Sequence, residues 1–400
     1  MTEHAQRRLW TPDFVMATFV NLFISIVFYL LMTSMALYAV DRFAASDSAA
    51  GFAASSYILG ALVARLFAGQ LIVAVGAKAV LVASLAAFAV FGFLYLPSGS
   101  LAVLLAVRLL HGMAFGLANT AVSATAQALI PPARRGEGTG YFSLSGTLAT
   151  AGGPFLAVLL AGSGDYESIF WFSTASAAAA CLLSLLLRIP RRPAAERPRM
   201  REVAWLRPSS MVERAAFPMA AMILLAGASY SVVLSFLAAH VQASGGGATA
   251  AVFFTAYAVS TLIGRLFAGR LQDRRGDNVV MYPGLVIMTA SMLLLVLPPT
   301  TAVLTASGIL CGLGFGIVMP CGQAIAVAVA PEPRIGVSVS TFYLALDVGT
   351  AAGPVLLGAL LGLTGYQGMY AVSAGIAVLA GVVYFALHGR HKPLPRAFAS

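Results

Sequence analysis

Residues 65–69 read Arg-Leu-Phe-Ala-Gly and residues 265–269 read Arg-Leu-Phe-Ala-Gly again, in a chain of 400 residues. The offset of 200 extends in both directions: Tyr57 matches Tyr257, Gly112 matches Gly312, and Phe115-Gly116 matches Phe315-Gly316. Further on, Pro131, Arg134, Gly136, Phe142, Gly153-Pro154 and Gly162 find counterparts at Pro331, Arg334, Gly336, Phe342, Gly353-Pro354 and Gly362, with no net insertion. A period this long belongs to two structural copies, because solenoid repeats run only about 20–50 residues.

The material of each copy is membrane-like. Hydrophobic residues make up 60% of the chain and charged residues 10%, and the mean hydropathy is +0.90, a balance that a soluble globule does not tolerate. Apolar stretches long enough to cross about 30 Å of hydrocarbon as helices lie near 14–38, 50–72, 79–96, 101–129, 138–162 and 167–188. The second half repeats them near 216–239, 249–271, 279–297, 302–330, 337–362 and 368–388. The expected fold is therefore an all-α membrane protein of twelve transmembrane helices, built as two parallel-repeat six-helix bundles over 1–188 and 214–400. Between them, a polar linker over 189–213 carries Pro190, Pro193, Pro198 and Pro208 among its arginines. The apolar run from Phe14 past Tyr38 exceeds a secretory signal core and is expected to be retained. Cys181, Cys311 and Cys321 fall inside predicted spans without metal-type spacing, so neither a disulfide nor a zinc framework is expected.

The formal charge of +10 is distributed as a topology signal rather than as a nucleic-acid footprint. Arg7 and Arg8, the arginines of the linker, and Arg390, Lys392 and Arg396 share one side of the predicted topology with Lys78, Arg134, Arg135, Arg274, Arg275 and Arg334. The opposite loops hold Arg42 as their only cation. The positive-inside rule then places both termini and the linker in the cytoplasm. Parallel repeats of this kind place a transport site between the halves near the midplane.

Gly269-Arg-Leu-Gln-Asp273-Arg274-Arg275-Gly276 resembles the loop signature of the major facilitator superfamily, glycine-x-leucine-small-aspartate-arginine-x-glycine. The first copy reads Gly69-Gln70-Leu71-Ile72-Val73-Ala74-Val75-Gly76, with Val73 and Ala74 in place of the aspartate and arginine. Arg108-Leu-Leu-His111-Gly112 is similar to the family's fourth-helix motif, with His111 for its glutamine, and Gly152-Gly153-Pro154 is similar to the core of its exporter motif. The first span, with Asn21, Phe28-Tyr29-Leu30 and Tyr38, resembles the bacterial sugar-efflux and multidrug-efflux-like branch. The resemblance implies alternating access in a bacterial inner membrane, with Gly69, Gly269, Asp273 and Arg274 at a cytoplasmic gate or latch. Asp273 is the better latch acid, because the first copy lacks one.

The two copies diverge where chemistry is expected. Arg108 stands opposite Gly308, His111 opposite Cys311, and Asp347 opposite Thr147. Ionisable groups inside a membrane are costly and mark partners or pathways, so Asp347, His111 and Arg108 are the proton-coupling candidates. Asp347 is the favoured carrier. Arg108 stays charged and can only tune a neighbour or meet an anion; His111 suits a relay or a neutral structural bond equally. Asn21, Tyr29, Phe115, Phe142, Phe315, Phe342 and Tyr343 are candidates for the substrate cavity, with packing as the alternative for each aromatic. Arg65 and Arg265 are expected to snorkel to headgroups, and Asp41 and Arg42 to be solvated.

The expected function is proton-coupled export of a small organic solute by a protein acting as a monomer, with no cofactor, metal or nucleic acid as partner. An importer of the same fold is the first alternative. A polytopic membrane enzyme is the second, disfavoured because no zinc-protease histidine pair or phosphate-binding Gly-Lys-Ser/Thr loop occurs.

Overall fold

A computed structural model describes residues 8–161, 166–189, 207–245 and 250–390. Among them, twelve helices of 17 residues or more follow one another. In the first half these are α1 (Pro12–Phe43), α2 (Asp47–Val75), α3 (Ala77–Phe93), α4 (Leu101–Leu129), α5 (Arg135–Ala161) and α6 (Tyr166–Leu186). In the second they are α7 (Phe217–Ala243), α8 (Ala250–Arg275), α9 (Asn278–Leu294), α10 (Thr301–Ala328), α11 (Ile335–Gly358) and α12 (Leu361–Tyr384). Ten are long and apolar enough to cross a membrane; α3 and α9 are shorter apolar helices of 17 residues. Most of the basic linker, residues 190–206, lies outside the described residues, as do Arg7, Gly162, Lys392 and Arg396.

Local chemistry sets the helix ends, and the repeat preserves it. Ser100 accepts from the Val103 N–H at the start of α4, and Thr300 accepts from the Val303 N–H at the start of α10. Each satisfies a donor that the first turn of a helix leaves open. Gly76 and Gly276 have φ of 94° and 91°, a region open to glycine at no steric cost, and there the chain reverses between α2 and α3 and between α8 and α9. One boundary departs from expectation. The last span was expected to begin at 368, but α12 starts at Leu361 and breaks at Gly365, whose φ is 66°; a turn at 361–364 is joined to the straight helix through this kink.

The described residues divide into two compact units. The first takes those within Met1–Ile130, Ser145–Glu213 and Pro331–Thr341; the second takes those within Pro131–Leu144, Arg214–Ala330 and Phe342–Ser400. In the first, α2 packs on α4, α3 on α4, α3 on α6 and α1 on α6. In the second the repeat-related pairs do the same: α8 on α10, α9 on α10, α9 on α12 and α7 on α12. Glycines make the close contacts possible. A Cβ at Gly312 would lie 2.5 Å from the Tyr257 carbonyl oxygen, and one at Gly112 would strike the carbonyl of Tyr57, its repeat counterpart. Gly153, beside Pro154 in α5, likewise faces the backbone of Tyr29 and Leu30, so the glycine before the proline is a packing position. Phe155, Val158 and Leu159 on α5, with Val355 and Leu356 on α11, are exposed, as lipid-facing side chains are.

The units do not follow the division of the sequence throughout. Residues 131–144, including the first turns of α5, group with the second unit, and residues 331–341, including the first turns of α11, group with the first. The physical cause lies in the contacts these turns make.

Candidate functional site

In the first unit, polar side chains form an ordered chain through the core. Arg65 donates to Asn119 Oδ1 at 3.0 Å, Asn119 Nδ2 donates to Asn21 Oδ1 at 3.2 Å, and Asn21 Nδ2 donates to Ser145 Oγ at 2.7 Å. All four residues are buried. Arg65 therefore does not snorkel to headgroups: it is buried and held by an acceptor within the bundle, as a cation inside a membrane requires. Arg265 also turns inward, with Nε donating to the Gly316 carbonyl at 2.8 Å and a terminal nitrogen to the Ser143 carbonyl at 2.5 Å. Asn21, expected at a cavity, is the middle of this chain. Asn119 and Ser145 carried a signal in the sequence, since their repeat counterparts are the apolar Met319 and Ala345.

Arg108 and His111, one turn apart on α4, share a second buried cluster. Arg108 Nε donates to the Ala53 carbonyl at 2.7 Å, and its guanidinium lies 5.0 Å from the centre of the Tyr57 ring, within cation–π range. The Tyr95 hydroxyl lies 3.0 Å from His111 Nδ1, within hydrogen-bonding distance. Phe88 and Tyr57 close over the ring at 4.2 and 5.3 Å between centroids. These residues bind one another and hold α2, α3 and α4 together.

Asp347 lies in the second unit, half-buried on α11. Gly349 and Gly353 face α7, where added Cβ atoms would strike Leu224, Ala228 and Ser231. At about 100° per residue, Asp347 stands roughly 160° around the helix from Gly349, away from that packed face. Tyr343, one turn earlier on the same side, donates to Gln323 Oε1 on α10 at 3.3 Å. Gln323 is fully buried and was not anticipated; its repeat counterpart is Ser123.

The aromatic candidates are mainly packing groups. Phe115 stacks on Phe28 at 5.1 Å and leans on Tyr57 at 5.4 Å. Phe315 stacks on Tyr230 at 4.1 Å, and Tyr230 stacks on Tyr257. Each phenylalanine thus meets an aromatic of the first helix of its unit. Phe142 and Phe342 are fully buried, and Tyr29 is half-buried. At the far end of α1, Asp41 is not merely solvated: its Oδ2 accepts from the Tyr166 hydroxyl at 2.6 Å.

The sharpest geometry surrounds Asp273, in the last turn of α8. Its two carboxylate oxygens accept from the N–H groups of Gly136 and Glu137, each at 2.8 Å, at the start of α5. A carboxylate there satisfies two open donors and meets the positive end of the helix dipole. Glu137 in turn pairs with Arg134 and with Arg270, both at 2.7 Å. Gly269 lies under the Gly136 carbonyl, with no room for a side chain. Asp273 and Gly269 therefore take part in this clamp, but Arg274 does not. Arg274 is exposed, lying about 100° around α8 from Asp273, and Arg270, three residues before the acid, supplies the cation instead. In the first unit, Gly69 makes the matching approach: a Cβ there would lie 2.6 Å from Val337 Cα at the start of α11. These contacts draw the first turns of α5 and α11 into their units.

Comparison with known proteins agrees with this architecture. The sequence profile described as Major Facilitator Superfamily matches residues 17–248 and 216–400. A protein of Lactococcus lactis named as a multi-drug resistance efflux pump PmrA homolog is 28% identical over 176 residues, 42% of this chain and 43% of that one. An uncharacterized MFS-type transporter of Methanocaldococcus jannaschii is 24% identical over 286 residues, 70% of this chain and 74% of that one. The match thus spans less than half the length of the Lactococcus relative. Among solved structures, the human organic anion transporter MFSD10 superposes with a TM-score of 0.79 at 17% identity, over 94% of this chain and all of that one. The transporter FucP, in its outward conformation, superposes with a TM-score of 0.76 at 16% identity, over 96% of this chain and all of that one.

Proposed function

The chain belongs to the Major Facilitator Superfamily, a family of transporters rather than enzymes, and from that premise we propose that it exports a small organic solute in exchange for protons by alternating access. The solute is drug-, sugar- or metabolite-like, the protein works as a monomer, and its setting is a bacterial inner membrane with both termini cytoplasmic. The orientation rests on the cation distribution, with the Asp273 clamp then on the cytoplasmic side; labelling a single cysteine at position 197 from outside intact cells would overturn it. The efflux reading draws on the Gly-Gly-Pro core in α5 and on the name carried by the Lactococcus relative.

The observation that carries proton coupling is Asp347, the only carboxylate deep within a predicted span, on the face of α11 opposite its close approach to α7 and replaced by Thr147 in the other copy. A carboxyl group that alternates between a dry and a wet or cation-flanked setting loads and releases a proton. His111 and Arg108 belong to a different role: their bonds to Tyr95 and the Ala53 carbonyl hold the first unit's core. Asp347→Asn keeps the shape but cannot titrate in this range. In inverted vesicles it is expected to abolish acceleration of transport by an imposed pH gradient while sparing substrate exchange, with Asp347→Glu partly active. Gradient-driven transport equal to the parent would refute the assignment, and comparing right-side-out with inverted vesicles separates export from import.

A further inference from the structure

The clamp at the start of α5 has four polar members: Arg134, Glu137, Arg270 and Asp273. Their repeat counterparts at the start of α11 are Arg334, Val337, Gln70 and Val73. Only the arginine survives. Val337 offers Arg334 no acid three residues on, where Arg134 meets Glu137. Instead, Glu213, immediately before α7, forms an ion pair with Arg334, and the Glu213 carboxylate is buried. Two more bonds fix the same segment: the Glu213 N–H donates to Thr341 Oγ1 at 2.9 Å, and Arg334 donates to the Val212 carbonyl at 3.2 Å. Residues 212–213 therefore grip α11 at both its entry and its second turn. From α2, the Arg65 carbonyl accepts from Ser340 Oγ, and Gly69 lies against Val337.

We propose that Glu213 is a positioning residue of the transport cycle, supplying beside Arg334 the acid that Val337 does not, and holding the start of α11 until the cycle releases it. The logic is charge replacement. In the second unit the acid comes from α5 itself, three residues after the arginine; in the first it comes from a chain segment 121 residues away. The repeat position of Glu213 is Asp13, whose carboxylate accepts the Arg188 N–H at 2.8 Å. An acid at the entry to the first helix of each half thus ties down another chain segment, and in the second half that segment is the one whose own acid is missing. The residues 331–341 held this way group with the first unit, while α11 beyond them groups with the second.

The proposal rests on the alternating-access reading, and its test uses a readout independent of Asp347. A single cysteine is placed at position 337 by Val337→Cys, with Cys181, Cys311 and Cys321 replaced. Its modification by an impermeant maleimide is followed in sealed vesicles of both orientations. In the parent the position is buried and reacts slowly. Glu213→Gln and Arg334→Gln are each expected to raise the rate at least fivefold, and the exchanged pair Glu213→Arg with Arg334→Glu to return it towards the parent value. The exchanged pair also controls for folding, since general loosening of the protein would not be reversed by restoring opposite charges. An unchanged rate in Glu213→Gln, or a rise that the exchanged pair leaves in place, overturns the proposal. Either result leaves the Asp347 test of coupled transport unaffected.

Discussion

Replacing Asp273 by asparagine isolates the contribution of the carboxylate to the clamp at the start of α5. The aspartate accepts two N–H donors, from Gly136 and Glu137, at 2.8 Å each. Asparagine keeps one acceptor and turns an N–H₂ group towards the other donor. A hydrogen bond to a charged group contributes about 1.5–3 kcal/mol, and an anion at a helix N-terminus adds about 0.3–1 kcal/mol. Losing one such bond and the dipole term destabilises the clamped state by roughly 2–4 kcal/mol. Every 1.4 kcal/mol is about tenfold, so opening of this segment should become roughly 30- to 1,000-fold more frequent. Hydrogen–deuterium exchange of a peptide covering 133–141 in the detergent-solubilised protein reads that opening directly and needs no substrate. Exchange in this peptide should accelerate by at least an order of magnitude while peptides from α4 and α10 stay protected. Exchange within twofold of the parent, in a variant with an unchanged melting temperature, would refute the reasoning.

Two further substitutions test packing and the polar core. Gly269→Ala places a Cβ against the Gly136 carbonyl and 2.7 Å from Glu137 Cα, which are backbone atoms that cannot rotate away, so the same exchange peptide should lose protection; Gly152→Ala, with open space around it, should leave exchange unchanged. Asn119→Leu removes the acceptor of Arg65 and the donor to Asn21 at once and is expected to cost about 2 kcal/mol or more. The cost should appear as a lower melting temperature that Asn119→Asp, which keeps an acceptor for the arginine, largely restores.

The helices and their twofold repetition were legible because both are local or repeated properties. Apolar length gave the spans, and identical glycines at 112 and 312, or at 69 and 269, marked close approaches that recur at the same places in both units. The clamp was half legible. Asp273 and Gly269 stand in a contiguous signature, whereas Glu137 and Arg270 are 133 residues apart, and no short-range pattern pairs them. Separation along the chain likewise hid the bond from Asn21 to Ser145 and the bond from Arg65 to Asn119, 124 and 54 residues apart. Snorkelling was the wrong expectation for Arg65 because it considered only how far the side chain lay from the interface, not which acceptors the fold would bring beside it.

The repeat offers a stronger test than motif matching in such a chain. Where both copies keep a residue, as with Arg134 and Arg334, the fold needs it in both places; where one copy loses its partner, the surviving member must find another. Arg134 has Glu137 three residues on, and Arg334, which has Val337 there, meets Glu213 instead. The sequence holds few acids to choose from, 14 in all, and Glu213 stands at the entry to α7 with its carboxylate buried and paired to Arg334. Asp273 was named by the motif, whereas Glu213 follows only from asking what becomes of an arginine whose acid has been lost.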